Sequence, residues 1–262
     1  MKRLPFIILL VSFAVLSCEE VIDVNLNDSS PVLTVEGLIL LNSACSVRLA
    51  YTSSYFDEGP PVPEEDAIIS VSDSEERGEV LEHLGKGIYR GNIIAGLPGH
   101  TYTLVISSGD KEYRASSKLH SRPELLKLEY EELDIPHYYE ETIYSVRNVM
   151  VDDPFSENYY LLMHYRNGSL LNDHYSTYSD RFLNTDTLVY TDFRLNFYRG
   201  DTVKVELYAI DQGVYNYFNL VNDMLVSAFS SSTPFNPESN FGSGIMGYFM
   251  AASFDSKTII ID

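Results

Sequence analysis

Between residue 31 and about residue 123 the chain repeats one pattern, short runs in which apolar positions alternate with polar ones between turn formers. Val47, Leu49 and Tyr51 alternate with Arg48 and Ala50, and Tyr102, Leu104 and Ile106 with Thr103 and Val105. Similar runs lie at 32–35, 69–72, 80–84, 88–90 and 111–116. A period of two turns one face of each run toward a core and the other toward water, which predicts half-buried antiparallel strands. About seven such strands within a domain of roughly 100 residues predict an immunoglobulin-like β-sandwich over 31–122.

After Pro123 the texture changes. Strand-like runs continue at 125–133, 145–151, 159–165, 188–197, 203–210, 247–254 and 258–261. Many of the 20 tyrosines fall in this part, Tyr138, Tyr139, Tyr159, Tyr160, Tyr175, Tyr178, Tyr215 and Tyr217 among them. Between 213 and 229 the period lengthens: Val214, Phe218, Val221, Leu225 and Ala228 recur every three or four residues. That is the apolar stripe of an amphipathic helix, suited to covering a sheet or closing a barrel end. The expectation is a mainly β chain. Its second domain, over 123–262, is β-rich, sandwich or barrel-like, with one helix.

The N-terminus carries a different signal. Lys2 and Arg3 precede an apolar run from 4 to 16, and Ser17 stands before Cys18. A charged start, a short apolar run and a small residue form a secretory signal, and the run is shorter than the ~20 residues a bilayer core needs. The Cys18 context resembles a bacterial lipobox, in which the thiol is acylated and becomes the new N-terminus. Residues 1–17 therefore read as a lipoprotein signal peptide, and 18–30 as the lipidated cysteine with a polar tether. One acyl chain gives marginal membrane binding and two or more hold firmly, so a triacylated Cys18 is a sufficient anchor.

The formal charge of −20 excludes nucleic acid as a partner, since phosphate binding needs clustered Lys and Arg. It equally excludes docking on anionic lipid through a basic patch. With only Cys18 and Cys45 present, and Cys18 lipidated, no disulfide is expected. Cys45 reads as a small buried hydrophobe. The proline-rich segment 60–63, followed by Glu64, Glu65 and Asp66, reads as a stiff solvated connection.

Motifs for chemistry are weak. Gly242, Gly244 and Gly247 fit G-x-G-x-x-G, but a loop precedes them and an aromatic, strand-like run follows. The dinucleotide motif needs a strand before and a helix after, so these glycines read as a bulge or tight turn into a strand. The six histidines show no zinc-ligand spacing. Glu140, Glu141, Asp152 and Asp153, with Glu129, Glu131, Glu132 and Asp134, lack the ligand spacing of a calcium loop and read as solvated acidic faces. No catalytic residue, metal or cofactor is expected. The tyrosines serve sheet and core, with an aromatic wall for a ligand as the sharper alternative.

Four passages together resemble the DUF4249 family of Bacteroidota outer-membrane lipoproteins. They are 17–24 with Pro31 to Gly37; 87–90 with 96–104; 205–217 with Tyr208, Ile210 and Tyr215; and 234–249 with Asn240, the glycines, Tyr248 and Phe249. His100 stands where this family favours a smaller residue. The resemblance implies an outer-membrane lipoprotein with an N-terminal Ig-like domain, a β-rich second domain and no settled activity. Glu19 and Glu20 resemble the acidic surface-export signal of such lipoproteins, which places the protein on the cell exterior. It also implies a non-enzymatic accessory of a TonB-dependent transporter in nutrient capture. An adhesion or envelope-structural role and a surface hydrolase are the alternatives, and no ligand is specified.

Overall fold

The computed structural model describes residues 30–53, 59–133, 142–171, 174–183, 185–227 and 236–262. Cys18, Glu19, Glu20, Tyr138, Tyr139, Glu140 and Glu141 lie outside the described residues. Among the described residues the chain is mainly β with one helix, as its alternation predicts.

Eight strands form the first part: β1 (Leu33–Leu40), β2 (Ala44–Tyr51), β3 (Ile68–Asp73), β4 (Gly78–Val80), β5 (Glu82–Gly85), β6 (Ile88–Ala95), β7 (Thr101–Ser108) and β8 (Lys111–Lys118). β4-β3-β7-β8 make one sheet, and β1-β2-β6-β5 belong to another. Val35, Val47 and Leu49 from the second sheet meet Ile69, Leu104 and Ile106 from the first in a single apolar core. Each of these positions belongs to the apolar half of an alternating run, so the sequence period becomes the sandwich interior.

The second part holds β9 (Leu125–Glu132), β10 (Tyr144–Val151), β11 (Tyr159–Arg166), β12 (Ser169–Leu170), β13 (Ser176–Ser179), β14 (Thr187–Thr191), β15 (Thr202–Ile210), α1 (Gln212–Ser227) and β16 (Ile245–Ile260). A three-stranded sheet, β14-β10-β9, covers a second core that includes Leu125, Val146, Leu162, Val205 and Leu207.

β16 joins the two parts. Residues 245–252 pair in parallel with β1, while 253–260 pair antiparallel with β15. One nine-stranded sheet therefore runs β12-β11-β15-β16-β1-β2-β6-β5, with β13 beside β11. Alternation along β16 sorts its side chains. Ile245, Phe249 and Ala251 enter the first core, Ile259 packs on the second, and Met250 and Ala252 face the opposite side. There α1 lays Val214 and Phe218 on Leu161, Tyr208 and Ile210.

Several elements differ from the sequence reading. The two C-terminal strands expected at 247–254 and 258–261 are one strand, because Asp255 inside it is polar for a tertiary reason described below. The run 80–84 is split between two sheets, with buried Leu81 as the crossing point. The strand expected over 188–197 stops at Thr191, where the Asp192 carboxylate accepts the backbone N–H of Arg194 and turns the chain. Glu64 is not solvated: it is 9 % exposed and accepts hydrogen bonds from Tyr51, Ser108 and the N–H of Asp66. Cys45 is fully buried, and burial pushes its thiol up to about 12, as befits an unreactive core side chain. Gly242 and Gly244 adopt positive φ in turns before β16, and Gly247 lies within the strand.

Candidate functional site

A cleft of about 390 Å³ opens where the connection between the two sandwiches meets the near end of the second one, beside the point at which β16 passes from β1 to β15. His120, Arg122, Asp152, Asn158, Tyr159 and Tyr160 line it. The connection is tied down by Asp255 of β16, whose carboxylate takes Arg122 at 2.6 Å and the N–H of Leu125 at 3.0 Å. The hydroxyl of Ser253 donates to the carbonyl of His120 at 3.0 Å. Burial lowers the pKa of His120, and the charge of Lys118 adds to that.

Asp152 directly follows β10 and is 6 % exposed, so it departs from the solvated face expected of it. Tyr160, directed inward by the alternation of β11, donates its hydroxyl to Asp152 Oδ1 at 2.9 Å. Asp180, 2 % exposed, is the neighbouring carboxylate on the other side of Asn158. Burial raises the Asp152 pKa above the usual carboxylate range, and the neighbouring Asp180 charge adds to the rise. Asn158 bridges the pair with its side-chain amide, 3.2 Å from Asp152 Oδ1 and 2.9 Å from Asp180 Oδ2.

A second cluster, absent from the sequence reading, centres on Asp192. Its carboxylate accepts Arg194 at 2.8 and 2.9 Å, the hydroxyl of Ser176 at 2.7 Å, and lies 2.8 Å from His174 Nε2. Burial alone would raise its pKa, but the Arg194 and Ser176 hydrogen bonds outweigh burial and hold it well below the usual range. Serine, histidine and aspartate meet here, yet the serine hydroxyl donates to the carboxylate rather than to the imidazole. A nucleophile needs its base within hydrogen-bond reach, so this arrangement braces the structure. Residues 174 and 192 carry no spacing signal that could have revealed it.

The tyrosines sort mainly into packing. Tyr159 meets Tyr215 at 4.9 Å between ring centroids, Tyr175 meets Phe218 at 4.6 Å, and Tyr178 meets Tyr190 at 5.4 Å. Asn222 of α1 clasps the backbone of Tyr175, accepting its N–H at 2.8 Å and donating to its carbonyl at 2.7 Å. Tyr217 packs at a tilt against Tyr248, 5.4 Å between ring centroids, sealing the helix against β16. Of the expected aromatic wall, Tyr159 and Tyr160 reach the cleft.

The architecture defines a β-sandwich protein whose long sheet is shared between two apolar cores. The chain matches the family described as Domain of unknown function (DUF4249) over residues 19–258, and it belongs to that family. No curated protein matches it. Asn240 and Phe249, two of the residues that carry the resemblance, meet in the structure. The Asn240 amide accepts the N–H of Phe249 at 3.0 Å and donates to its carbonyl at 2.7 Å, acting as a one-residue strand at the edge of β16.

Proposed function

We propose that this protein is a lipid-anchored accessory at the outer membrane that captures a nutrient for a TonB-dependent transporter, without catalysing a reaction on it. The observation that carries the reading is the lipobox-like Cys18, preceded by Lys2, Arg3 and the apolar run, ahead of a family unit of β-sandwiches. Glu19 and Glu20 support an outward-facing location. Contact surfaces support a binding role: Phe155 and Phe182, 96 and 90 % exposed, stand on the two loops that Asn158 and Asp180 tie together. The same residues suit an adhesion or envelope-structural role.

The hydrolase alternative gains little from Asp152 and Asp180. The Asn158 amide reaches both carboxyls and occupies the space between them that glycoside cleavage needs for the sugar. Asp180 is also too deeply buried to meet a substrate.

The test is a pull-down of the lipidated chain from outer membranes in mild detergent, with fractionation of Cys18→Ala alongside. The reading expects an enriched TonB-dependent barrel and a Cys18→Ala variant lost from the membrane fraction. If no barrel is enriched and deletion leaves uptake of every tested nutrient unchanged, the transporter role fails. A membrane-bound Cys18→Ala variant would remove the anchor.

A further inference from the structure

The loop 152–158 and Asp180 crowd oxygens around one point. The Asn158 side-chain nitrogen lies 3.2 Å from Asp152 Oδ1, 3.4 Å from the carbonyl of Asp153, 3.0 Å from the carbonyl of Ser156 and 2.9 Å from Asp180 Oδ2. An amide group carries two hydrogens there and cannot serve four acceptors. The remaining Asp152 oxygen, Oδ2, is buried and no donor reaches it, although Asp152 forms part of the cleft wall. Buried carboxylates are ordinarily paired or bound to a metal. Among the described residues no ion pair reaches Asp152 or Asp180, and Arg181 turns instead to Glu157 at 3.8 Å.

We propose that this cluster is a calcium site, liganded by the carboxylates of Asp152 and Asp180, the carbonyls of Asp153 and Ser156, and the side-chain oxygen of Asn158. Nitrogen and oxygen of an asparagine amide exchange places by a half-turn about the last side-chain bond, which brings Oδ1 into the oxygen cluster. Oxygens at neighbouring vertices around calcium, each about 2.4 Å from the ion, lie roughly 2.8–3.4 Å apart. The spacings around Asn158 fall in that interval. Mixed carboxylate, amide and main-chain oxygens at irregular angles suit calcium, whereas magnesium demands a near-ideal octahedron. Among the described residues no three His, Cys, Asp or Glu side chains cluster as a metal site. Three of the five donors are amide or backbone oxygens. The site goes beyond the accessory role and stands without it.

The test uses the full chain in detergent, stripped with a chelator and titrated with CaCl₂ or MgCl₂ by calorimetry. Terbium emission sensitised through tyrosine, with Tyr160 on Asp152, gives a second readout. The expected result is one calcium per chain with a dissociation constant of about 10⁻⁴–10⁻³ M, as befits two carboxylates, and weaker magnesium binding. Saturating calcium raises the unfolding midpoint by a few degrees. Asp180→Asn weakens calcium at least about tenfold, and Asn158→Asp, which adds a carboxylate, tightens it. Should Asp180→Asn fail to fold, displacement of terbium by calcium from the wild type and the Asn158→Asp affinity decide the matter. No heat, no terbium emission and no change in melting at 10 mM CaCl₂ would overturn the site. So would an Asn158→Asp variant that is destabilised and does not respond to calcium, the behaviour of a pair that merely shares a proton.

Discussion

Gly247 of β16 lies opposite Val35 of β1 so closely that a Cβ at 247 would fall 1.8 Å from the Val35 carbonyl oxygen. Its φ of +101° adds a conformation that side chains rarely adopt. Both effects act at the parallel contact that joins β16 to the first sandwich. Gly247→Ala is expected to cost about 3 kcal/mol or more, combining backbone strain with a clash against main chain. Gly244→Ala is the control, because its nearest neighbour is the edge of Tyr113 at 3.8 Å and only the positive φ opposes it, at about 1–2 kcal/mol. Urea denaturation of both variants checks the comparison, and equal losses would contradict it.

Asp211 caps α1 and also ties it to the sandwich. One carboxylate oxygen accepts the N–H of Val214 at 3.0 Å, and the other accepts the hydroxyl of Ser117, which in turn accepts the N–H of Ala251 at 2.8 Å. Removing an N-cap costs about 1 kcal/mol, and leaving the buried Ser117 hydroxyl without its acceptor costs roughly 1–3 kcal/mol more. Asp211→Ala should therefore lower stability by about 2–3 kcal/mol, and Asp211→Asn, which keeps the cap acceptor, by less. Thermal melts by circular dichroism distinguish the two. An Asp211→Asn loss as large as that of Asp211→Ala would show that charge, rather than capping, dominates.

The strands were legible where burial follows a period of two, as in Val47, Leu49 and Tyr51, because a half-buried strand writes its exposure into the sequence. The helix was legible for the same reason at a longer period, through Val214 and Phe218. Tertiary polarity hid the rest. Asp255 breaks the alternation of β16 because it holds Arg122 and the N–H of Leu125, so a continuous strand read as two. Asp152 looks like any solvated aspartate until the fold buries it beside Asp180, and no spacing rule links residues so far apart. His174 and Asp192 were invisible in the same way.

Asp192 gathers Ser176, His174 and Arg194, so Asp192→Asn removes the charge that holds three side chains. The Arg194 side chain is half exposed and keeps its own hydration, which limits the loss. The expected cost is about 2–4 kcal/mol at pH 7, from weakened charge-assisted hydrogen bonds to a buried acceptor. The folded pKa lies below the unfolded value near 4, so this stability is present above pH 4 and is lost as pH falls below it. The gap between wild type and Asp192→Asn should consequently narrow in acid. Parallel melts at pH 7 and pH 3 test this, and a gap that stays constant would contradict the assignment.

His164 sets the behaviour of the second core in mildly acidic solution. The imidazole is 3 % exposed on β11 and faces Asp192 and His174. Burial moves its pKa down to about 4; the His174 charge acts in the same sense and Asp192 opposes it. An imidazole with a folded pKa below its unfolded value of about 6.5 is harder to protonate when folded. Its contribution to stability is therefore level above pH 6.5, falls as pH drops from there, and levels off again below pH 4. Over that interval the wild type should lose roughly 3 kcal/mol through this group alone. His164→Asn keeps a polar side chain and removes the titration, so its stability relative to wild type should improve by a similar amount between pH 7 and pH 4. Urea denaturation of both proteins at half-unit pH steps measures the difference directly, because the other carboxylates and histidines titrate in both. A wild-type curve parallel to that of His164→Asn across this range would show that the imidazole is solvated and that the core around β11 opens to water.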